Sequence, residues 1–276
     1  MKRVLLVPLL GLLSACMPPS WGANALLHPY RRPVTQTPAR PFEKVDFDVG
    51  VKLVGWRFPT DRPRRGAVIY LHGIGDNRAS GVWIADHFNA RGFDVVAYDG
   101  RAQGESGGDV CTYGYYEKQD LRRVMDRLPQ EPVVVFGVSL GAAVALQAAA
   151  DDPRIAVVVS VATFSDLRTA ASERAPFFAS RGNITKAILI AEEQGHFRVD
   201  DANPAAAAAR VRAPVIVIHG AEDDETPPAH SERVFAALAG PKQIVRVPQA
   251  GHHDTLTPET WRQIDAWVDT HVQAVH

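Results

Sequence analysis

The stretch Gly137-Val138-Ser139-Leu140-Gly141 offers a hydroxyl flanked two residues away on each side by glycine. A serine hydroxyl is a weak nucleophile near neutral pH, so it needs a base to take its proton and an acid to orient that base. Both are available further along the chain. Residues 250–255, AGHHDT, set His252 and His253 side by side, and Glu222, Asp223, Asp224 and Glu225 stand in a row before them. Together they would support acyl transfer through a serine-bound intermediate. Spacing alone leaves open which imidazole and which carboxylate take part. It also leaves a second match, since Gly104-Glu105-Ser106-Gly107-Gly108 fits the same glycine-serine pattern.

The elements around the two serines separate them. Ser139 directly follows the apolar run PVVVF (132–136) and directly precedes the alanine-rich AAVALQAAA, which predicts a buried strand, a tight turn and a helix. Such a turn strains the serine backbone and needs glycines where strand and helix approach. The helix N-terminus adds amide donors and a positive dipole end where negative charge would develop. Ser106 lies in a polar, glycine-rich stretch with no strand ending on it, and reads as a loop residue.

Further runs, AVIYL (67–71), FDVVAY (93–98), IAVVVSV (155–161), PVIVI (214–218) and QIVRV (243–247), are mostly apolar without alternation, as expected of parallel strands buried on both faces. The segments VDFDV and VKLVGWRF alternate and read as a strand pair ahead of them. Between the runs lie helix patterns. Asn183 caps one with an apolar face of Ile184, Ala187, Ile188 and Ala191, Asn203-Pro204 opens an alanine run ending near Arg210, and Thr257-Pro258 opens a last helix through Trp261, Ile264, Val268 and Val272. The expected fold is α/β, with a mostly parallel central sheet and helices on both faces.

The chain resembles the α/β-hydrolase family from about Val45 onward, on LHGIG (71–75), DGRAQGESGG (99–108), GVSLG (137–141), HGAEDDETPP (219–228) and AGHHD (250–254). The order serine, acid, histidine is also that family's order. The resemblance implies a catalytic set of Ser139, Asp223 and His252, with Asp224 and His253 as the displaced alternatives. It assigns the oxyanion to the backbone amides of Ile74 and Leu140, makes His72 structural, and requires no cofactor. Ala102 stands where the family commonly has glycine, a departure that touches nothing catalytic. Residues 163–213 are long enough for a small helical cap, with Phe164, Phe177 and Phe178 as candidate pocket residues. The expected activity is a carboxylesterase. A peptidase or amidase, an acyltransferase and a non-catalytic binding protein on the same scaffold are the competing expectations.

Composition narrows the setting. With 276 residues and a formal charge of −1, the chain suits one sizeable domain and carries no basic stripe for nucleic acid. The pairs Arg31-Arg32 and Arg64-Arg65 read as solvated loop residues. His219, Asp223, Asp224, His252 and His253 lack the spacing of a metal motif, so no metal site is expected. Lys2 and Arg3 precede an apolar run from Val4 to Leu13 and then Leu13-Ser14-Ala15-Cys16, the layout of a signal peptide (1–15) ending in a lipobox. This predicts export to the bacterial cell envelope, with Cys16 lipidated and membrane contact through that anchor only. The proline-rich residues 16–43 then read as the lipid-bearing cysteine and a tether, and 44–276 as the hydrolase domain. Partners reduce to a small ester or amide substrate, and the oligomeric state is left open.

Overall fold

In the computed structural model, residues 18–129 and 132–272 are described, so the expected signal peptide and Cys16 lie outside the described residues. Eight strands form one sheet in the order β1-β2-β4-β3-β5-β6-β7-β8. They are β1 (Glu43–Asp48), β2 (Lys52–Phe58), β3 (Gly66–Leu71), β4 (Phe93–Tyr98), β5 (Val133–Val138), β6 (Ile155–Val161), β7 (Val215–Gly220) and β8 (Lys242–Val247). β1 pairs with β2, and β2 with β4, antiparallel; the other pairings are parallel. The central apolar runs β3, β4, β5 and β7 become strands buried on both faces. In β5, Val133 and Val135 join one core layer while Val134 and Phe136 join the other, and β7 divides in the same way.

Helices α2 (Val82–Asn89) and α9 (Pro258–His271) cover one face, burying Ile84 and Phe88 from the first and Ile264 and Val268 from the second. α3 (Glu117–Met125), α4 (Leu140–Ala149), α7 (Pro204–Ala208) and α8 (Ala229–Ala237) cover the other. α4 is buried on every side, which its alanines permit by allowing close approach to the strands beneath. Two of the three expected caps hold: Asn203 accepts from the Ala206 amide, and Thr257 from the Thr260 amide. The third moves, because α6 (Arg181–Gly195) starts earlier, capped by Ser180, whose hydroxyl accepts from the Asn183 amide.

The insertion between β6 and β7 holds α5 (Leu167–Glu173), α6 and α7. The segment expected to be a tether behaves otherwise. Pro19–Leu27 forms a helix, α1, which packs on α6 and buries Ala23 and Leu27. An isolated helix of this length is marginal in water, so docking is what holds it. Its C-terminal end is fastened by the Cys111 amide donating to the Leu27 carbonyl at 2.8 Å and the Tyr113 hydroxyl to the Leu26 carbonyl at 3.0 Å. Nor is Arg31 simply solvated: its guanidinium donates to the carbonyls of Ser106 and Gly108. Arg65 lies over the Phe93 ring at 4.8 Å and pairs with Asp269 at 2.9 Å. Among the described residues no helix is long and apolar enough to cross a membrane.

Candidate active site

Ser139 sits between β5 and α4 with φ 53° and ψ −112°, a left-handed conformation that a non-glycine residue adopts only under constraint. Its neighbours supply that constraint. The Ser139 amide donates to the Val161 carbonyl at 2.8 Å, while its own carbonyl receives the Ala142 and Ala143 amides at 3.1 Å each. A Cβ on Gly137 would stand 2.5 Å from the Ala142 nitrogen, and one on Gly141 2.5 Å from the Leu71 carbonyl carbon. Only hydrogen fits at both positions, so the two glycines are what let the strand turn sharply into the helix.

The acid and base follow β7 and β8, which lie beyond β6 in the sheet. Asp223 lies just beyond β7 and His252 beyond β8; both are buried, and His252 Nδ1 stands 2.7 Å from Asp223 Oδ2. A carboxylate can only accept, so Nδ1 carries the proton and Nε2 keeps a free lone pair. The loop holds Asp223 through the Thr226 and Glu225 amides, which donate to Oδ1 at 2.8 and 3.0 Å. Burial by itself would raise the Asp223 carboxyl. The hydrogen bonds from His219 and His252 and from the Thr226 amide outweigh it and hold the group well below the usual carboxylate range. Asp224 and Glu222 are exposed, and His253 is 78 % exposed with its Nε2 3.1 Å from Glu225. Of the paired candidates, then, Asp223 and His252 meet, and Asp224 and His253 face water.

Two supports escaped the sequence reading. His219 Nε2 lies 2.7 Å from the Thr226 carbonyl and 3.0 Å from Asp223 Oδ2, so the carboxylate is gripped by two imidazoles. Its position four residues before Asp223 is visible in sequence, at the head of HGAEDDETPP and in a cluster lacking metal spacing, but without a role of its own. Arg174, following α5, donates to the Glu225 carbonyl at 3.0 Å and the Thr226 hydroxyl at 2.9 Å, tying the insertion to the loop that carries Asp223. Among the described residues no group of three or more His, Cys, Asp or Glu is placed to hold a metal ion.

The two other candidates from the sequence have structural partners. Ser106 is buried, donating to the Asp99 carbonyl at 2.6 Å and accepting from the Val54 amide at 2.9 Å. His72 Nδ1 lies 2.7 Å from the Gly73 carbonyl, so it carries the proton, and Nε2 accepts from the Gly100 amide. Gly73 itself faces the nucleophile turn, where a Cβ would be 3.5 Å from the Ser139 Cβ. Ile74 and Leu140 border a cavity together with Ser139, and among the described residues neither amide donates to an acceptor. That cavity has a volume of about 280 Å³ and runs from Ser139 beneath the insertion, with Tyr113, Phe164, Leu167 and Ile188 on its walls. Phe178 lines it as well, whereas Phe177 is 92 % exposed.

The comparisons with known proteins agree with this architecture. A family model described as the alpha/beta hydrolase fold matches residues 66–187. An uncharacterized protein of Mycobacterium tuberculosis is 31% identical over 217 residues, covering 76% of this chain and 71% of that protein. The uncharacterized protein YqkD of Bacillus subtilis is 28% identical over 205 residues, 71% of this chain; the match spans 66% of that protein, just under two thirds. Among solved structures, the Pyrococcus furiosus esterase Pf2001 aligns with a TM-score of 0.73 at 21% identity, covering 89% of this chain and 100% of that one. The chain belongs to the α/β-hydrolase family.

Proposed function

We propose that this protein is a serine hydrolase that cleaves carboxylic esters through Ser139, His252 and Asp223. The observation that carries the reading is the strained Ser139 turn and the buried His252–Asp223 pair, set beyond the C-terminal ends of the parallel strands β5, β7 and β8, with an apolar cavity reaching the serine. With Asp223 ionised and bound to Nδ1–H, Nε2 of His252 is the free lone pair that accepts the Ser139 proton as Oγ attacks the ester carbonyl. The charged imidazole that results is stabilised by Asp223. The developing oxyanion takes the Ile74 and Leu140 amides, whose N–H groups are otherwise unused; one such donor is worth about 10²- to 10³-fold in rate. His252 then returns the proton to the leaving alcohol, and water, deprotonated by the same nitrogen, releases the acid.

An ester is favoured over an amide because the cavity is apolar and carries little of the hydrogen-bonding surface that a peptide backbone would require. The basic start, apolar run and Leu13-Ser14-Ala15-Cys16 sequence support a place in the bacterial cell envelope, held by lipid at Cys16. A fluorophosphonate probe tests the chemistry. Wild type should be labelled at Ser139, and Ser139→Ala should be neither labelled nor active on p-nitrophenyl esters. Labelling that persists in Ser139→Ala, or an unlabelled wild type that turns over no ester, overturns the assignment.

A further inference from the structure

The helix α1, which precedes everything the family model matches, lines the cavity that begins at Ser139. Its residues Pro19, Gly22, Ala25 and Leu26 recur at helical spacing and form one wall, while Ala23 and Leu27, on the adjoining face, are buried against the body of the protein. Ile184, Ala187 and Ile188 of α6 line the same cavity. The two helices touch closely: a Cβ on Gly22 would lie 3.0 Å from the Ala187 Cβ. Gly22 and Ala187 therefore let the two helices approach closely beside the cavity.

Among the described lining residues Arg174 is the only charged one, and its guanidinium is engaged by the Asp223 loop at the serine end. The wall supplied by α1 is thus apolar and lacks hydrogen-bonding side chains. In a two-step reaction the alcohol leaves and the acyl group stays on the serine until water arrives, so a sheltered apolar cavity suits the retained portion. One water-sized probe occupies about 10–15 Å³ by the same measure, so a cavity of this volume has room for on the order of ten or more chain carbons.

We infer that α1 is the acyl-chain wall of the site, and that the substrate class is esters of unbranched aliphatic acids of medium length. This rests on the serine-esterase reading above for its chemistry, but the wall can be tested without turnover. Burial of each methylene is worth about a fourfold gain in kcat/KM, so selectivity should rise steeply from acetate toward decanoate. Ala25 is exposed to solvent at the cavity, so a larger side chain can be placed there without displacing the buried core of α1.

The experiment compares wild type with Ala25→Trp, and with Ala25→Leu as a milder variant should the first fail to fold, on p-nitrophenyl esters from acetate to decanoate. Binding of free decanoate to each protein is measured in parallel by titration calorimetry. Expected in Ala25→Trp is a decanoate-to-acetate ratio of kcat/KM lowered at least tenfold and decanoate binding weakened at least tenfold; Ala25→Leu should give a smaller loss of the same sign. A chain-length profile and decanoate affinity unchanged in both variants, or a wild type that binds no decanoate, overturns the role of α1. Decanoate binding that is lost in the variants from a protein without esterase activity keeps the wall and overturns the esterase reading instead.

Discussion

Adding a single methyl group at Gly220 should disable the site without touching any of its functional groups. Gly220 ends β7, three residues before Asp223, and a Cβ there would lie 2.8 Å from the Ala250 carbonyl carbon and closer still to the carbonyl oxygens of Ala250 and Gly251. These are backbone atoms of the turn that carries His252, so no side chain can swing away. To bring the Gly251 carbonyl oxygen, 2.2 Å away, out to an ordinary contact of about 3.4 Å, the turn must retreat by about 1.2 Å. Carried through to His252, that displacement stretches the 2.7 Å bond to Asp223 to about 3.9 Å, past the range of a sound N–H···O bond. If the turn holds its place, the overpacking costs about 1–3 kcal/mol; if it moves, a charge-assisted hydrogen bond worth about 1.5–3 kcal/mol is weakened. Either way Gly220→Ala should lose about 2 kcal/mol, read as a Tm lower by about 4–8 °C.

A misplacement approaching 1 Å is also enough to cost about 10²-fold in rate. The assay is kcat/KM on a short p-nitrophenyl ester, measured well below the variant's Tm, with fluorophosphonate labelling rate as a second readout. Gly251→Ala is the control: it adjoins His252 directly, yet its Cβ would meet only Asp254 Oδ1, at 3.6 Å. It should keep activity within threefold. A Gly220→Ala protein with activity and Tm close to wild type, or a Gly251→Ala protein as impaired as Gly220→Ala, refutes the steric reasoning.

The imidazoles are separable by mutation: His252→Ala should lower kcat on an ester by about 10⁴-fold, while the exposed His253→Ala stays within threefold, and the opposite order in a steady-state assay exchanges their roles. Asp223 gives a pH prediction. Its folded carboxyl titrates below the ordinary value of 3.8, so the unfolded chain binds the proton first on acidification. The stability it contributes is present above about pH 4 and is lost as pH falls from there through the folded value. Denaturant titrations should therefore show wild type well above Asp223→Asn at pH 7, with the gap closing below about pH 4; a gap independent of pH would contradict the depressed carboxyl. For the anchor, Cys16→Ser should move the protein from the membrane fraction to the soluble fraction, and unchanged partitioning counts against lipid at that cysteine.

Much of the site was legible because its signals are local. A buried strand, five residues with two glycines and an alanine-rich helix are contiguous, and the backbone sterics that force the turn act within that stretch. The strands themselves announced a sheet covered on both faces, since uninterrupted apolar runs have nowhere else to go. The choice of Asp223 and His252 came from resemblance, not from residue types, because the neighbours Asp224 and His253 carry the same chemistry. Burial separates them: the register of the two turns points one carboxylate and one imidazole inward and leaves the others in water.

What tertiary structure alone decided are contacts between segments remote in sequence. In sequence α1 reads as a tether because a nine-residue, proline-led stretch buries only Ala23 and Leu27, too weak a period to see and too short a helix to stand alone. It becomes a wall because Gly22 lets it pack closely on Ala187 of α6. Arg174 reaches the Asp223 loop across 51 positions, and Gly220 matters through carbonyls thirty residues on. Sequence by itself determined the type of fold and the residues able to do the chemistry, because strand burial and the serine turn are written in short windows. The packing of distant segments decided which of those residues meet and what encloses the cavity they face, because such contacts depend on where the chain returns in space.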